Sequence, residues 1–339
     1  MEPFFLSYLL LPLGYTSALA LLSAKAEKAL VDGEPERAIK LLSLARKAPF
    51  LATYRSMCEV NLLTAAHATE NYELVEEVWA KLEPKLPSLR PYAGSAIASY
   101  SATLIGRGYY HKAEELLRSP LQHPKPNQRP DNIALICLAF CQANLASSLI
   151  NLGRLKEARE LIDSLIQQSD TSPLLESLVT FLSAYLSYLE GKIDEAHHIA
   201  TRLDLTELNL LYQTELRYHY AILLARCNDP KSAERILKDL LWDTSSHRKL
   251  TRLRLVAMAE TTSAHGDTQT ALSYYKDILQ LEHRGALTYF RASALAQRVQ
   301  QKELQRTFLE AAIKLDPESH WARIAQKKLQ SLALDKNRP

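Results

Sequence analysis

Glycine is rare in this chain, with nine residues among 339. Five of the nine recur in one local pattern, so glycine serves as punctuation rather than flexibility. Alternating runs of Val, Ile and Thr are also missing, which excludes an extensive β-structure and argues for an all-α chain. The four cysteines, Cys58, Cys137, Cys141 and Cys227, are too sparse for a disulfide framework. Cys137 and Cys141 share a helix face, but no second Cys/His pair at ligand spacing accompanies them. They read as buried structural cysteines, and no metal or other cofactor is expected. Neither sign of charge dominates: the net charge is +3 and dispersed, which speaks against nucleic acid as a partner. No nucleophile, acid/base or phosphate motif is present. Gly106-Arg-Gly108 lacks the third glycine and the preceding strand of a dinucleotide fingerprint. Glu76–Glu77 and Glu114–Glu115 read as solvated helix faces. An enzyme is therefore not expected.

What is present is a repeat. The stretch Asn151–Leu165, NLGRLKEARELIDSL, reads as a glycine turn followed by an amphipathic helix. Near-copies occur as Gly33…Ala38, Gly108…Ala113, Gly191…Ala196, Gly266…Ala271 and, with Asn for Gly, Asn228…Ala233. A fixed internal period marks a stacked architecture, which also suits a chain too long for one compact core. Small residues pair twelve apart across each turn: Ala26/Ala38, Ala146/Ala158, Ala184/Ala196, Ala221/Ala233 and Ala259/Ala271. Two antiparallel helices approach closely only where both side chains are small. The turn between them needs a residue that accepts positive φ, hence Gly or Asn. Markers fall at 33, about 70, 108, 153, 191, 228, 266 and about 300. The unit at Asn71–Leu82 is degenerate, with Val75 for Ala and Glu70 for Gly.

The pattern resembles the tetratricopeptide repeat family. The family's Ala followed by a large apolar residue reads here as Ala38/Leu42, Ala113/Leu117, Ala158/Ile162, Ala233/Leu237 and Ala271/Tyr275. Ala196/Ala200 departs from it, and the terminal proline is clear only in the Leu315-Asp316-Pro317 ending. The resemblance implies a right-handed superhelical solenoid of antiparallel helix pairs, about eight repeats with a C-terminal capping helix. The usual step of 37 or 38 exceeds the family's 34, so the family's curvature does not carry over.

The expected organisation is an apolar N-terminal segment over residues 1–18, repeats 1–3 over 19–120, a proline-rich linker over 121–132, repeats 4–8 over 133–317 and a cap over 318–333. In the cap, Ile324 and Leu329 face inward and Lys327 and Lys328 outward. Residues 4–22 are uncharged and long enough to span a membrane, although Pro12 and Gly14 interrupt them. They either contact a membrane or fold onto the first repeat. Lys25 and Lys28 place the remainder on the cytoplasmic side, so a cytoplasmic protein, free or anchored at the membrane face, is expected. Ser119–Asn132, with four prolines, is a surface loop, a hinge or a segment folding into the groove.

By the resemblance, the first helix of each pair lines the concave face. The positions it assigns there give Asn61, Phe140, Asn144, Phe181, Tyr185, Tyr188, Tyr218 and His219 as the candidate contacts of a protein or peptide partner. Asn61 and Asn144 occupy the Asn position of the family's carboxylate clamp. Met57 and Phe140 stand where that clamp needs Lys, with Leu178 and Leu253 in other repeats, so a chaperone tail is not expected. An interaction scaffold is the leading expectation. A regulatory receptor for a peptide or small ligand, and a carrier for apolar protein segments, are the alternatives.

Overall fold

A computed structural model describes residues 21–30, 32, 34–47, 52–89, 92–118, 132–167, 172–202, 210–240, 248–281 and 285–335. The apolar segment before residue 21 and the proline-rich stretch 119–131 lie outside the described residues. So do the expectations that fall on them.

The described residues form helices and turns and no strand. In pairs they are α1 (21–30) with α2 (Pro35–Ala45), α3 (Ala52–Ala68) with α4 (Tyr72–Leu82), and α5 (Ala93–Gly106) with α6 (Tyr110–Leu117). Next come α7 (Asn132–Leu152) with α8 (Leu155–Ile166), α9 (Pro173–Leu189) with α10 (Ile193–Ala200), and α11 (Leu210–Arg226) with α12 (Pro230–Lys238). The last pairs are α13 (Arg248–Ala264) with α14 (Thr268–Gln280) and α15 (Ala286–Arg298) with α16 (Lys302–Leu315), followed by α17 (His320–Asp335). This is the all-α solenoid of helix pairs, eight pairs and a terminal helix.

Every described turn marker holds the left-handed backbone its position requires. φ is +77° at Gly108, +80° at Gly153 and Gly191, and +88° at Gly266. The markers that are not glycine conform as well: Glu70, Asn228 and Gln300 have φ of 55°, 64° and 58°. Each marker closes its helix the same way. At Gly153 the amide donates to the Ile150 carbonyl (3.0 Å), and the Arg154 amide donates to the Leu149 carbonyl (2.8 Å). That paired bonding is the Schellman closure, which satisfies two otherwise orphaned carbonyls. Where Asn71, Asp229 or Asp267 follows the marker, its side chain accepts from the amide three residues on and caps the next helix.

The small-residue pairs do what their spacing requires. Both members of Ala26/Ala38, Ala146/Ala158, Ala184/Ala196, Ala221/Ala233 and Ala259/Ala271 are completely buried. The same register in the remaining three repeats holds Leu63/Val75, Ser101/Ala113 and Ser293/Gln305, all buried. Solenoid packing continues past the proline-rich stretch: the Asn144 amide on α7 donates to the Ala98 carbonyl (2.9 Å) and the Ser101 hydroxyl (3.0 Å) on α5. Cys141 is buried there, its thiol 3.5 Å from the Gly94 carbonyl, and burial pushes its pKa up to about 12. Among the described residues one helix, α7, is long and apolar enough to cross a membrane; 44% of its Leu135–Leu152 window is buried within the protein.

After five repeats the chain meets itself. The turn of repeat 2 touches the start of α13, the first helix of repeat 7, through an ion pair between Glu70 and Arg252. The turn of repeat 3 touches the start of α15, in repeat 8. There Asp316 lies against Gly108, its carboxylate accepts from the Ala286 amide (3.0 Å), and the Tyr110 hydroxyl reaches the same carboxylate. The turn of repeat 4 touches the start of α17, in the ninth position. Arg323 donates to the Leu152 carbonyl (2.7 Å), and the His320 ring packs over Gly153. The His111 amide donates to Glu318 beside it (2.9 Å). One offset describes all three meetings, so successive turns of the superhelix are in contact. In α17 the fully buried residues are Ala322 and Ala325, while Ile324 and Leu329 are half-buried. Lys328, expected to face outward, instead lies over the Phe290 ring at 5.3 Å. A small-residue face lets α17 pack as closely as the repeat helices do, and the lysine stem covers apolar surface.

Candidate functional site

The first helices of repeats 4–8 converge on the superhelix axis. α9 contributes a column of rings at helical spacing, Phe181, Tyr185 and Tyr188. The Phe181 and Tyr185 rings are 5.9 Å apart and 6° from parallel; Tyr185 and Tyr188 are 6.4 Å apart and 14° from parallel. The next repeat adds His219, 5.2 Å from Phe181, and the edge of Tyr220 at 5.4 Å. This geometry is favourable for offset aromatic pairs and gives a rigid apolar wall with hydroxyls at one end.

Beside the wall runs a cavity of about 230 Å3, lined by Phe181, Leu182, Tyr185, His219, Ile222, Arg226, Leu253, Val256, Leu287 and Trp321 among others. α17 reaches it through Ser319 and Trp321, so contacts across the five-repeat offset help to enclose it.

A buried ionic cluster sits at the polar end. The Arg226 guanidinium donates through Nε (3.0 Å) and Nη2 (2.8 Å) to one oxygen of Glu260. Arg291 donates through Nε to the other oxygen (2.8 Å), and through Nη1 to the Tyr188 hydroxyl (3.1 Å). The Glu260 side chain is wholly buried, Arg226 is 6% exposed and Arg291 is 33% exposed. Burial alone would push the Glu260 carboxyl up, but the two guanidiniums outweigh it and hold the group below the usual carboxylate range. Burial likewise opposes charge on Arg226, and Glu260 again prevails, so it stays protonated. Burial pushes the Tyr185 phenol up, leaving a neutral hydroxyl that hydrogen-bonds Arg226. Burial also depresses His219 to about 4, against the pull of Glu215, so at neutral pH it is an uncharged ring.

Four of the candidate residues therefore come together on the axis: Phe181, Tyr185, Tyr188 and His219. The other four do not. Asn61 donates to Glu27 on the first helix pair (3.3 Å). Phe140 packs against the core of repeats 4 and 5, and the amide of Asn144 is occupied with α5. Tyr218 is 1% exposed and lines a different cavity, of about 300 Å3, with Leu237, Arg254 and Met258. It shares the register of Phe181, but in its repeat the axial place belongs to its neighbour His219. The residues missing from the candidate list were charged ones, Glu260 and Arg291 above all. Their signal is a single charge inside an otherwise uncharged, largely apolar run, LVAMAETT and LTYFRASALA. Glu76 and Glu114 lie on ion-paired surfaces, the former with Arg107 and the latter with Arg118 and Arg154.

Neither a protein-family model nor a curated protein sequence matches this chain. Among solved structures it is similar to a monomeric mutant of IFIT1 bound to Gppp-AAAA, at 12% identity and a TM-score of 0.42, covering 94% of this chain and 82% of that one.

Proposed function

We propose that this chain is a non-enzymatic scaffold that binds a protein partner on the axial face of its solenoid, at the wall formed by Phe181, Tyr185, Tyr188 and His219. The observation that carries the reading is the ring column itself: three near-parallel aromatics on one helix, at a partly open concave surface, are the residue type and placement of an interaction hot spot. The cavity beside it bounds what enters. A space of about 150 Å3 already takes a benzene ring. The axial cavity, at about 230 Å3, is larger than that but smaller than a single turn of an α-helix about 10–12 Å across. The partner therefore presents an extended segment with an aromatic or aliphatic anchor, rather than a helix laid along the groove. The protein works in the cytoplasm, held at a membrane face where residues 4–22 make contact.

The test is affinity capture with the full-length chain as bait. Replacing Tyr185 and Tyr188 together with Ala should lower partner recovery at least tenfold while helical circular dichroism is kept. Recovery equal to wild type would remove the site. Deleting residues 1–18 should release a membrane-bound fraction, and a wild-type protein already in the soluble fraction refutes the anchor.

A further inference from the structure

The lining of the axial cavity includes two unlike charged residues, Arg226 and Asp316. The ionic cluster to which Arg226 belongs contains two arginines for one glutamate. Arg226 is the inner member, 94% withdrawn from water by its 6% exposure, and its contacts to Glu260 use Nε and Nη2. The Tyr185 hydroxyl lies beside it. The carboxylate of Asp316 is committed to the Ala286 amide and the Tyr110 hydroxyl at the meeting of repeats 3 and 8. Most of the remaining lining is apolar, with Phe181, Ile222, Leu253, Val256, Leu287 and Trp321 from the capping helix, and the polar remainder includes Asn151 and His219. A desolvated guanidinium in a largely apolar cavity is worth more to an anion than a solvated one, because the low-dielectric surroundings strengthen the pairing. A neutral or cationic ligand of the same shape gains nothing from it.

We infer that this cavity binds a small organic anion with a flat apolar body, its carboxylate on Arg226 and Tyr185 and its body against Phe181. The volume sets the size: room for one ring with a short acid arm. The contacts of α15 and α17 leave room for a free small molecule or a single inserted anchor rather than for a chain running through the cavity. The inference shares the axial face with the scaffold reading, yet it needs no protein partner.

The experiment is titration calorimetry and thermal shift on the full-length chain. The probes are phenylacetate, indole-3-acetate and hexanoate, with 2-phenylethanol and phenethylamine as the neutral and cationic counterparts. The aromatic acids should bind at least tenfold more tightly than the alcohol, and the amine should not bind. Arg226→Lys keeps the charge opposite Glu260 but loses the planar fork, and should weaken the acids at least tenfold with unchanged helical dichroism. Should that variant unfold, Phe181→Leu serves instead, weakening the aromatic acids but not hexanoate. The inference is overturned by an alcohol that binds as tightly as its acid, or by no acid binding at 5 mM to folded wild type. It is also overturned by an acetylated pentapeptide ending in Phe that binds more tightly than phenylacetate, since the carboxylate then belongs to a chain end. Partner capture, scored separately without probe, tells failure of this inference from failure of the scaffold reading.

Discussion

Gly153 and Gly266 have the same backbone and opposite surroundings. Both end a first helix in the left-handed region, at +80° and +88°. A Cβ at Gly266 would meet nothing within 4 Å, whereas one at Gly153 would lie 2.7 Å from the His320 ring. Gly108 and Gly191 repeat the contrast, the first against Asp316 and the second open. The turn conformation is thus a local property, set by the helix it terminates. What covers the turn is a property of the superhelix, which returns after five repeats. Repeats 2–4 are covered by the next turn of the solenoid, while the turns at Gly191 and Gly266 are not.

The largest effect is expected at the covered glycine. Gly153→Ala adds the backbone cost of a left-handed alanine, about 1–2 kcal/mol, to an overpacking cost of about 1–3 kcal/mol against His320. Urea denaturation should show the sum, and His320→Ala in the same chain should recover the overpacking part, a coupling that a double-mutant cycle isolates. Acid comes next. Burial, with Lys249 close by, depresses His67 to about 4 where repeat 2 faces α13. The unfolded chain protonates that ring near pH 6.5, so between 6.5 and 4 the unfolded state binds more protons, and stability falls as pH falls. The loss from this residue is on the order of 2 kcal/mol, and His67→Gln should reduce the slope across that window while leaving the share of His219, which burial depresses to the same value. Arg323→Ala removes the clasp on the Leu152 carbonyl and should cost about 1–2 kcal/mol, with faster amide exchange in α17. Gly266→Ala, at the open turn, should cost only the backbone term, about 1–2 kcal/mol, and no substitution of His320 should change that value.

Much of this architecture is legible in the chain because it is periodic. The turn markers precede the second small residue of each pair by five residues throughout, and even Glu70 and Gln300, which lack the favoured residue type, hold positive φ. The alanine pairs predict burial that is complete. The axial rings follow from register, since Phe181, Tyr185 and Tyr188 lie on one face of α9. Register fails at Tyr218 because two neighbours, Tyr218 and His219, compete for one axial place and their sequence does not rank them. The Arg226–Glu260–Arg291 cluster is harder to read. Each member lies in a different repeat, and the pairing depends on how far each repeat is rotated on the last. The five-repeat return is not legible at all. It sums several small rotations, and the step of 37 or 38 residues says that curvature departs from the 34-residue form without saying by how much.

That return helps to enclose the cavity and separates covered from open turns. A double substitution, Gly153→Cys with His320→Cys, tests it directly. A Cβ at 153 lies 3.0 Å from the His320 Cβ, a little inside the 3.5–4.5 Å of disulfides. Mild oxidation of the full-length chain should therefore close an intramolecular disulfide, read as a faster-migrating band that reductant abolishes. The wild-type chain, with its four native cysteines, should show no such band. Two thiols at 153 and 320 that stay reduced in a folded, fully helical protein would contradict a superhelix that returns on itself.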